Sequence, residues 1–330
     1  MPKEFSGVAS RISLPVTDHF DGERFFNPWG RFPQKGFRDM LKWQTSGLRA
    51  KWPAKVENEP RSPIPANYGP LRVTFIGHAT LLAQVEGINI LIDPVFSERC
   101  SPFSAISPRR VRKPYVDIAN LPKIDYVFVS HNHYDHMDKA SLSALARNHK
   151  PSFITPMGNS RLIQMWVGKC PVAELDWHDS LPLSDSVSLT LTPSQHWSRR
   201  GYSDINRDLW GGFFLKTGAG QSLYYCGDSG FNEGLFAGIY KKHGAPDIAL
   251  LPIGAYEPRW FMEYSHMNPD DAMQAFRLLQ AKRGMGFHFE TFQLTDEAFD
   301  APRKHTIEAM AKYGITPEQF YIPVPGDFIL

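Results

Sequence analysis

Residues 129–138 read VSHNHYDHMD, so His131, His133, Asp135 and His136 put three imidazoles and a carboxylate within six positions. The preceding run, DYVFVS, is almost continuously apolar, as expected of a strand covered on both faces. In extended chain, side chains at i and i+2 share a side, so His131 and His133 can converge on one ion. Where the chain turns into the next helix, Asp135 and His136 can swing toward a second point close by. Imidazole and carboxylate are ligands for Zn2+ and similar borderline metals. Without a metal, this many buried polar groups would need partners from elsewhere.

Four ligands do not complete two sites, so others must arrive from distant strand ends. His196 follows the run VSLTLTP. Asp228 follows SLYYC, between Gly227 and Ser229, which permit a tight turn. His288 lies on or just after the short apolar run MGF. All three share one kind of position, the end of a β-rich run.

The elements that must carry these residues begin at residue 71. LRVTFIG, TLLAQVEG and INILIDP read as a meander of short strands divided by Gly and turn residues. Further strands are expected at SFITP, VSLTLTP, GGFFLKT, SLYYCGD, DIALLPIG, MGFHFET and QFYIPVP. About five helices are expected among them. One has Asn268 as N-cap and Pro269 in its first turn, and another ends at Gly314. Ten or more strands fit two sheets packed face to face, with helices outside.

Residues 1–70 differ in character. They hold nine of the 27 prolines, and their net charge is +4 against −2 for the remainder. Such proline density blocks long helices and strands, so an irregular extension wrapped over the body is expected. Its aromatic residues argue for packing rather than disorder. The 330-residue chain has a net charge of +2, which gives no support to a nucleic-acid partner. No apolar run is long enough to span a bilayer, and MPKEFSGVAS lacks the pattern of a secretory signal. Cys100, Cys170 and Cys226 are scattered and are read as buried apolar thiols of a reducing compartment. These features point to a cytoplasmic protein, with peripheral contact at the inner membrane and a homodimer left open.

The H-x-H-x-D-H cluster, followed by isolated His, Asp and His residues at long intervals, resembles the metallo-β-lactamase fold. That resemblance covers residues 71–330 and implies an αβ/βα sandwich of two mixed sheets flanked by helices. It implies a dinuclear centre with two Zn2+ per chain. His131, His133 and His196 would hold one ion, Asp135, His136 and His288 the other, and Asp228 would bridge them. FIGHATLL, ILIDPVFS, SPRRVRKPY, QHWSRR, LWGGF, GDSGF and YEPRWFMEYSHMNPDDA are similar to the N-acyl-phosphatidylethanolamine-hydrolysing phospholipase D group. The resemblance is nearly collinear and includes the Pro- and aromatic-rich N-terminal segment. Two positions depart from the animal enzyme. Glu290 stands where that enzyme has Gly, and Ser265 where it has Gln.

The implied reaction is phosphodiester hydrolysis, releasing N-acylethanolamine and phosphatidic acid through a metal-bridging hydroxide. Asp135 or Asp228 would take the water's proton. His266, Arg199, Arg259 and Tyr256 are the candidates for phosphate contact or support, with His266 grouped among the catalytic residues. A lactonase or sugar-phosphate hydrolase of the same fold is the alternative. A nuclease would need basic stripes, and a redox protein an electron carrier motif; neither is visible. His78 and Asp93 could brace the metal loop by hydrogen bonds, but a purely structural role is the expectation for both. The 109–113 run RRVRK is expected to form a solvated face, and His19, His149, His178, His243 and His305 are read as surface residues.

Overall fold

The computed structural model describes residues 15–30, 32–33, 35–47, 49–101 and 107–330. The N-terminal residues on which the signal-peptide reading rests lie outside the described residues.

Three antiparallel strands, β1 (Leu71–Gly77), β2 (Thr80–Val85) and β3 (Ile88–Ile92), open the first sheet. β4 (Tyr126–Phe128), β5 (Ser152–Pro156) and β6 (Val172–Leu175) extend it in parallel. The second sheet repeats the plan. β7 (Ser180–Pro182), β8 (Ser188–Thr192), β9 (Gly212–Lys216) and β10 (Ser222–Tyr225) pair antiparallel. β11 (Ile248–Pro252), β12 (Arg283–Phe287) and β13 (Phe320–Tyr321) continue in parallel. The last strand, β14 (Phe328–Ile329), returns to pair with β1, so each sheet has seven strands.

Period-two alternation sorts the apolar side chains of the first sheet into two layers. Leu81, Ala83, Ile90, Ile92 and Phe128 join the cluster shared with the second sheet. Leu82, Leu91 and Val127 join a separate cluster with Leu142, Leu145 and Ile163. Phe128 and Phe213 meet edge to face across the sheets, ring centres 4.8 Å apart. The outer cluster lies under α2 (Lys139–Asn148) and α3 (Ser160–Val167). On the second sheet pack α4 (Glu233–His243), α6 (Pro269–Leu278) and α7 (Ala301–Tyr313), while the short α5 (Arg259–Met262) precedes α6. This is the expected αβ/βα sandwich.

Asn268 caps α6 by accepting from Asp271 N–H, and Gly314 ends α7 at φ 67°. The sequence reading missed α3, α4, β6, β7 and β14. Two glycines lower the helix propensity of α4, which forms because Leu235, Phe236 and Ile239 are buried on the sheet. β14 is too short to show a period.

Among its described residues, the N-terminal extension contains a regular element that was not expected, α1 (Phe37–Gln44), set between Pro33 and Pro53. The described part of the extension is tied to the body at several points. Trp43 Nε1 donates to Asp296 and Trp52 Nε1 to the Glu297 carbonyl, each at 2.8 Å. Three other expectations are corrected here. His19 is buried rather than superficial, because Asp176 and Asp18 bond its ring and Trp177 stacks on it. Arg110 and Arg112 point inward, Arg110 to the Val95 and Ser97 carbonyls and Arg112 to Glu290, so 109–113 is not simply a solvated face. Of the three thiols only Cys226 is fully buried.

Candidate metal centre

Strand directions explain why the chemistry gathers on one edge. β1, β3 and β4 run the same way, and so do β8, β10, β11 and β12. Their carboxyl ends carry, in turn, His78, Asp93, His131, His196, Asp228, Ala255 and His288. Four of these have left-handed backbone: His78 at φ 57°, Asp93 at 40°, Ala255 at 61° and His288 at 67°. Non-glycine residues held this way concentrate at functional sites, where surrounding contacts over-determine them.

Two knots of ligand atoms result. In the first, His133 Nδ1 lies 2.9 Å from His131 Nε2 and 3.2 Å from His196 Nε2. Two nitrogens on a tetrahedral Zn2+ would stand ~3.3 Å apart, so the spacing fits one shared ion. In the second, His288 Nε2 lies 3.2 Å from His136 Nε2 and 3.1 Å from Asp135 Oδ2. His78 Nε2 also reaches Asp135 Oδ2, at 3.1 Å. Asp228 sits between the knots. Its Oδ2 is 3.0 Å from His136 Nε2 and 3.2 Å from His288 Nε2. It also groups with His131 and His136 on one side and with His196 and His266 on the other. Asp228 Oδ1 is buried and has no hydrogen-bond partner among the described residues.

The charge states suit cation binding. Burial pushes the His131 imidazole well below its ordinary range, His133 down to about 4, and His196 to about 3. Their lone pairs are therefore free at neutral pH. Burial works against ionising Asp135 and Asp228 too, yet the adjoining imidazoles, His136 foremost, hold both well below the usual carboxylate range. The same carboxylates, Asp228 first among them, overcome burial to raise His136, and they raise His288 to about 9. Asp135 and Asp228 thus demand positive charge at this point, which protons on His136 and His288 supply without a metal and bound cations would supply in their place.

Neighbouring groups fix the rings. Asp93 accepts from Ser130 N–H, Ser130 Oγ and Tyr225 Oη, and its Oδ2 lies 2.7 Å from His136 Nδ1. His131 Nδ1 is 2.9 Å from Ser130 Oγ, and His196 Nδ1 is 3.0 Å from the Ser265 carbonyl. Such partners orient ligand rings and choose their tautomers. Arg200, sandwiched between Tyr134 and Trp166, donates to the Asn132 and Met137 carbonyls and so clasps the triple-histidine turn. Gly254 is required next to His288, because a Cβ there would collide with the His288 carbonyl oxygen.

The knots open onto a cavity of about 400 Å3, lined by His133, Asp135 and Asp228 at its floor. Arg199 and His266 also line it. Tyr256 and Arg259 do not. Tyr256 is buried with its hydroxyl 2.8 Å from His305 Nδ1, facing α7. Arg259 pairs with Asp271 at 2.7 Å and donates to the His266 carbonyl, so its charge is spent within the fold. The sequence reading missed the apolar walls. Phe32, Met40 and Trp43 come from the extension, Phe261 and Met262 from α5, and Trp197 and Leu294 from loops, with Lys35 as a second cation. The Pro- and aromatic-rich composition of residues 1–70 was the available signal, but nothing in it named the face it covers.

Residues 88–289 match the family described as Beta-lactamase superfamily domain. The chain is 36% identical over 253 residues to N-acyl-phosphatidylethanolamine-hydrolyzing phospholipase D 1 of Caenorhabditis elegans, covering 73% of this chain and 70% of that protein. It is 32% identical over 262 residues to the mitochondrial N-acyl-phosphatidylethanolamine-hydrolyzing phospholipase D of Saccharomyces cerevisiae, covering 78% of this chain and 55% of that one. Among solved structures, isothiocyanate hydrolase from Delia radicum gut bacteria superposes with a TM-score of 0.64 at 22% identity, over 78% of this chain and 98% of that one. This last likeness concerns the fold alone.

Proposed function

The chain belongs to the beta-lactamase superfamily and is a metal-dependent hydrolase of that fold, and we propose that it cleaves the phosphodiester bond of N-acyl-phosphatidylethanolamine-type lipids at a two-zinc centre. One observation carries this reading: the two knots of ligand atoms meet at Asp228 and open directly into a largely apolar cavity that also holds two cations. The names of the worm and yeast relatives support the same substrate class.

His131, His133 and His196 would hold one ion, Asp135, His136 and His288 the other, and Asp228 would join them. Divalent ions held by these residues would supply Lewis-acid chemistry, making bound water more acidic and offsetting negative charge on the phosphoryl group. The protein's own groups do the rest. Asp135 keeps 15% of its side chain exposed at the cavity floor, against 2% for Asp228, and takes the water's proton. His78 holds the Asp135 carboxylate in place. Burial brings His266 down to about 3, so it is a neutral imidazole that donates its N–H to a phosphoryl oxygen. Arg199 and Lys35 attract the anionic headgroup. The acyl chains lie against Phe32, Met40, Trp43 and Phe261, which exclude water.

No described helix is long and apolar enough to cross a membrane. Peripheral contact through α1 is part of the proposal. Met40 is 44% exposed and Leu41 50%, beside Lys42, whose ammonium lies 4.5 Å from the Trp260 ring centre. Apolar and basic groups side by side suit an anionic lipid surface.

The deciding experiment offers the zinc-loaded protein N-acyl-phosphatidylethanolamine, phosphatidylethanolamine and an acyl lactone, and identifies products by mass. N-acylethanolamine together with phosphatidic acid is the expected result. Turnover of the lactone alone would replace this proposal with the lactonase reading.

A further inference from the structure

Immediately beyond His288 the chain does something costly. Glu290 is buried at 5% exposure, and it too has left-handed backbone, at φ 51°. Its carboxylate receives Arg303 Nε at 3.1 Å and Arg303 Nη2 at 3.4 Å, with Arg112 Nη2 at 3.5 Å. Arg303 also donates to the Ile322 and Pro323 carbonyls, at 2.8 and 2.9 Å. Each guanidinium lies near an aromatic ring, Arg303 by Phe289 and Arg112 by Phe299. The 109–113 segment and α7 therefore meet at this one carboxylate, and Arg303 ties the 322–323 segment to them.

The turn carrying Glu290 also carries His288. Thr291 accepts from Val111 N–H through its carbonyl at 2.9 Å and from His78 N–H through its hydroxyl at 3.1 Å. His288 N–H in turn donates to the His78 carbonyl at 2.9 Å. Among the described residues the Nδ1 of His288 finds no hydrogen-bond partner, unlike His131, His136 and His196, whose Nδ1 atoms are all engaged. Nothing bonded to its outer nitrogen orients this ring, so its aim depends on the backbone that carries it.

We infer that Glu290 is a positioning residue: held by Arg303 and Arg112, it locks the turn that aims His288, and so sets the affinity of the ion held by Asp135, His136 and His288 without touching that ion. The inference rests on the metal-centre reading above. It assigns to the buried carboxylate and its two guanidinium partners a task beyond stability, since such a pairing by itself is weak evidence of net stabilisation.

The test measures zinc by competition with a chromogenic chelator, alongside the melting temperature of the metal-free protein. Glu290→Gln keeps the side chain's size and removes its charge. It is expected to weaken one of two ions about 10- to 100-fold and leave the other unchanged, the scale seen when outer partners of a metal ligand are lost. Arg112→Gln, which removes only the longest arm, is expected to weaken the same ion less, and it decides the matter if Glu290→Gln does not fold. Asp327→Asn breaks a pair with Arg61 near β14 and serves as the control for general destabilisation. A lower melting temperature with both zinc affinities unchanged would overturn the inference, and so would equal weakening of both ions. Wild-type protein that bound no zinc would instead sink the metal-centre reading itself.

Discussion

His136 and Asp93 meet at 2.7 Å with neither side chain exposed to solvent, so an imidazole of the candidate metal centre is held from behind by a wholly buried carboxylate. Asp93 holds Ser130 and Tyr225 as well. Asp93→Ala would leave four buried donors without this acceptor. Zinc affinity should drop about 10- to 100-fold, and the fold should lose about 3–5 kcal/mol, as when a buried pair loses one member. Chelator competition and urea unfolding read the two effects separately. A variant that kept both zinc affinity and stability would show that Asp93 is not the brace described.

Removing the metal, or the residue shared by both knots, should have the largest effect on turnover. Asp228→Ala is expected to reduce hydrolysis of a chromogenic phosphodiester on the order of 10³-fold, equivalent to losing several kcal/mol of charge stabilisation. Dialysis against a chelator should abolish activity and lower the melting temperature, because ions that bind only the folded state stabilise it. Re-addition of zinc should restore both in the wild type.

The cavity walls predict a chain-length effect. Phe32 stacks on Trp197 with ring centres 4.8 Å apart, and both line the cavity. Phe32→Ala should lower kcat/KM for a long-chain lipid about tenfold or more, given about 0.8 kcal/mol per buried methylene. Turnover of a small soluble diester should be unaffected. Equal losses on both substrates would place Phe32 outside the acyl path.

His19 gives a pH dependence outside the candidate metal centre. Burial lowers its pKa, but the bonds to Asp176 and Asp18 outweigh that and leave it above 6.5. Asp176 is correspondingly lowered, burial being outweighed by the bond from His19. A raised histidine contributes stability fully below its unfolded pKa and loses it as pH rises through the folded value. A lowered aspartate contributes above its unfolded pKa and loses it in acid. The pair should therefore stabilise most between about pH 4 and 6.5. Melting temperature measured across pH should decline above this window in the wild type, and His19→Gln should flatten that decline.

The H-x-H-x-D-H cluster was legible because ligand chemistry, unlike packing, is written in residue type and short spacing. His196, Asp228 and His288 were legible for a related reason: each ends a β-rich run, and parallel strands deliver their carboxyl ends to one edge. The meander and the capped helix at Asn268 could be read from period and end signals. Other features depended on contacts between residues far apart in the chain. Tyr256 and Arg259 sit in a motif-rich stretch, yet one turns to His305 and the other to Asp271, partners 49 and 12 positions away. Phe32, Lys35 and Trp43 reach the cavity only because the extension folds back over α5. The amino-acid order by itself determined which groups could bind cations and which strands would carry them. Only the tertiary structure decided which charges were spent inside the fold and which faced the cavity, because side-chain direction depends on long-range packing that local spacing does not encode.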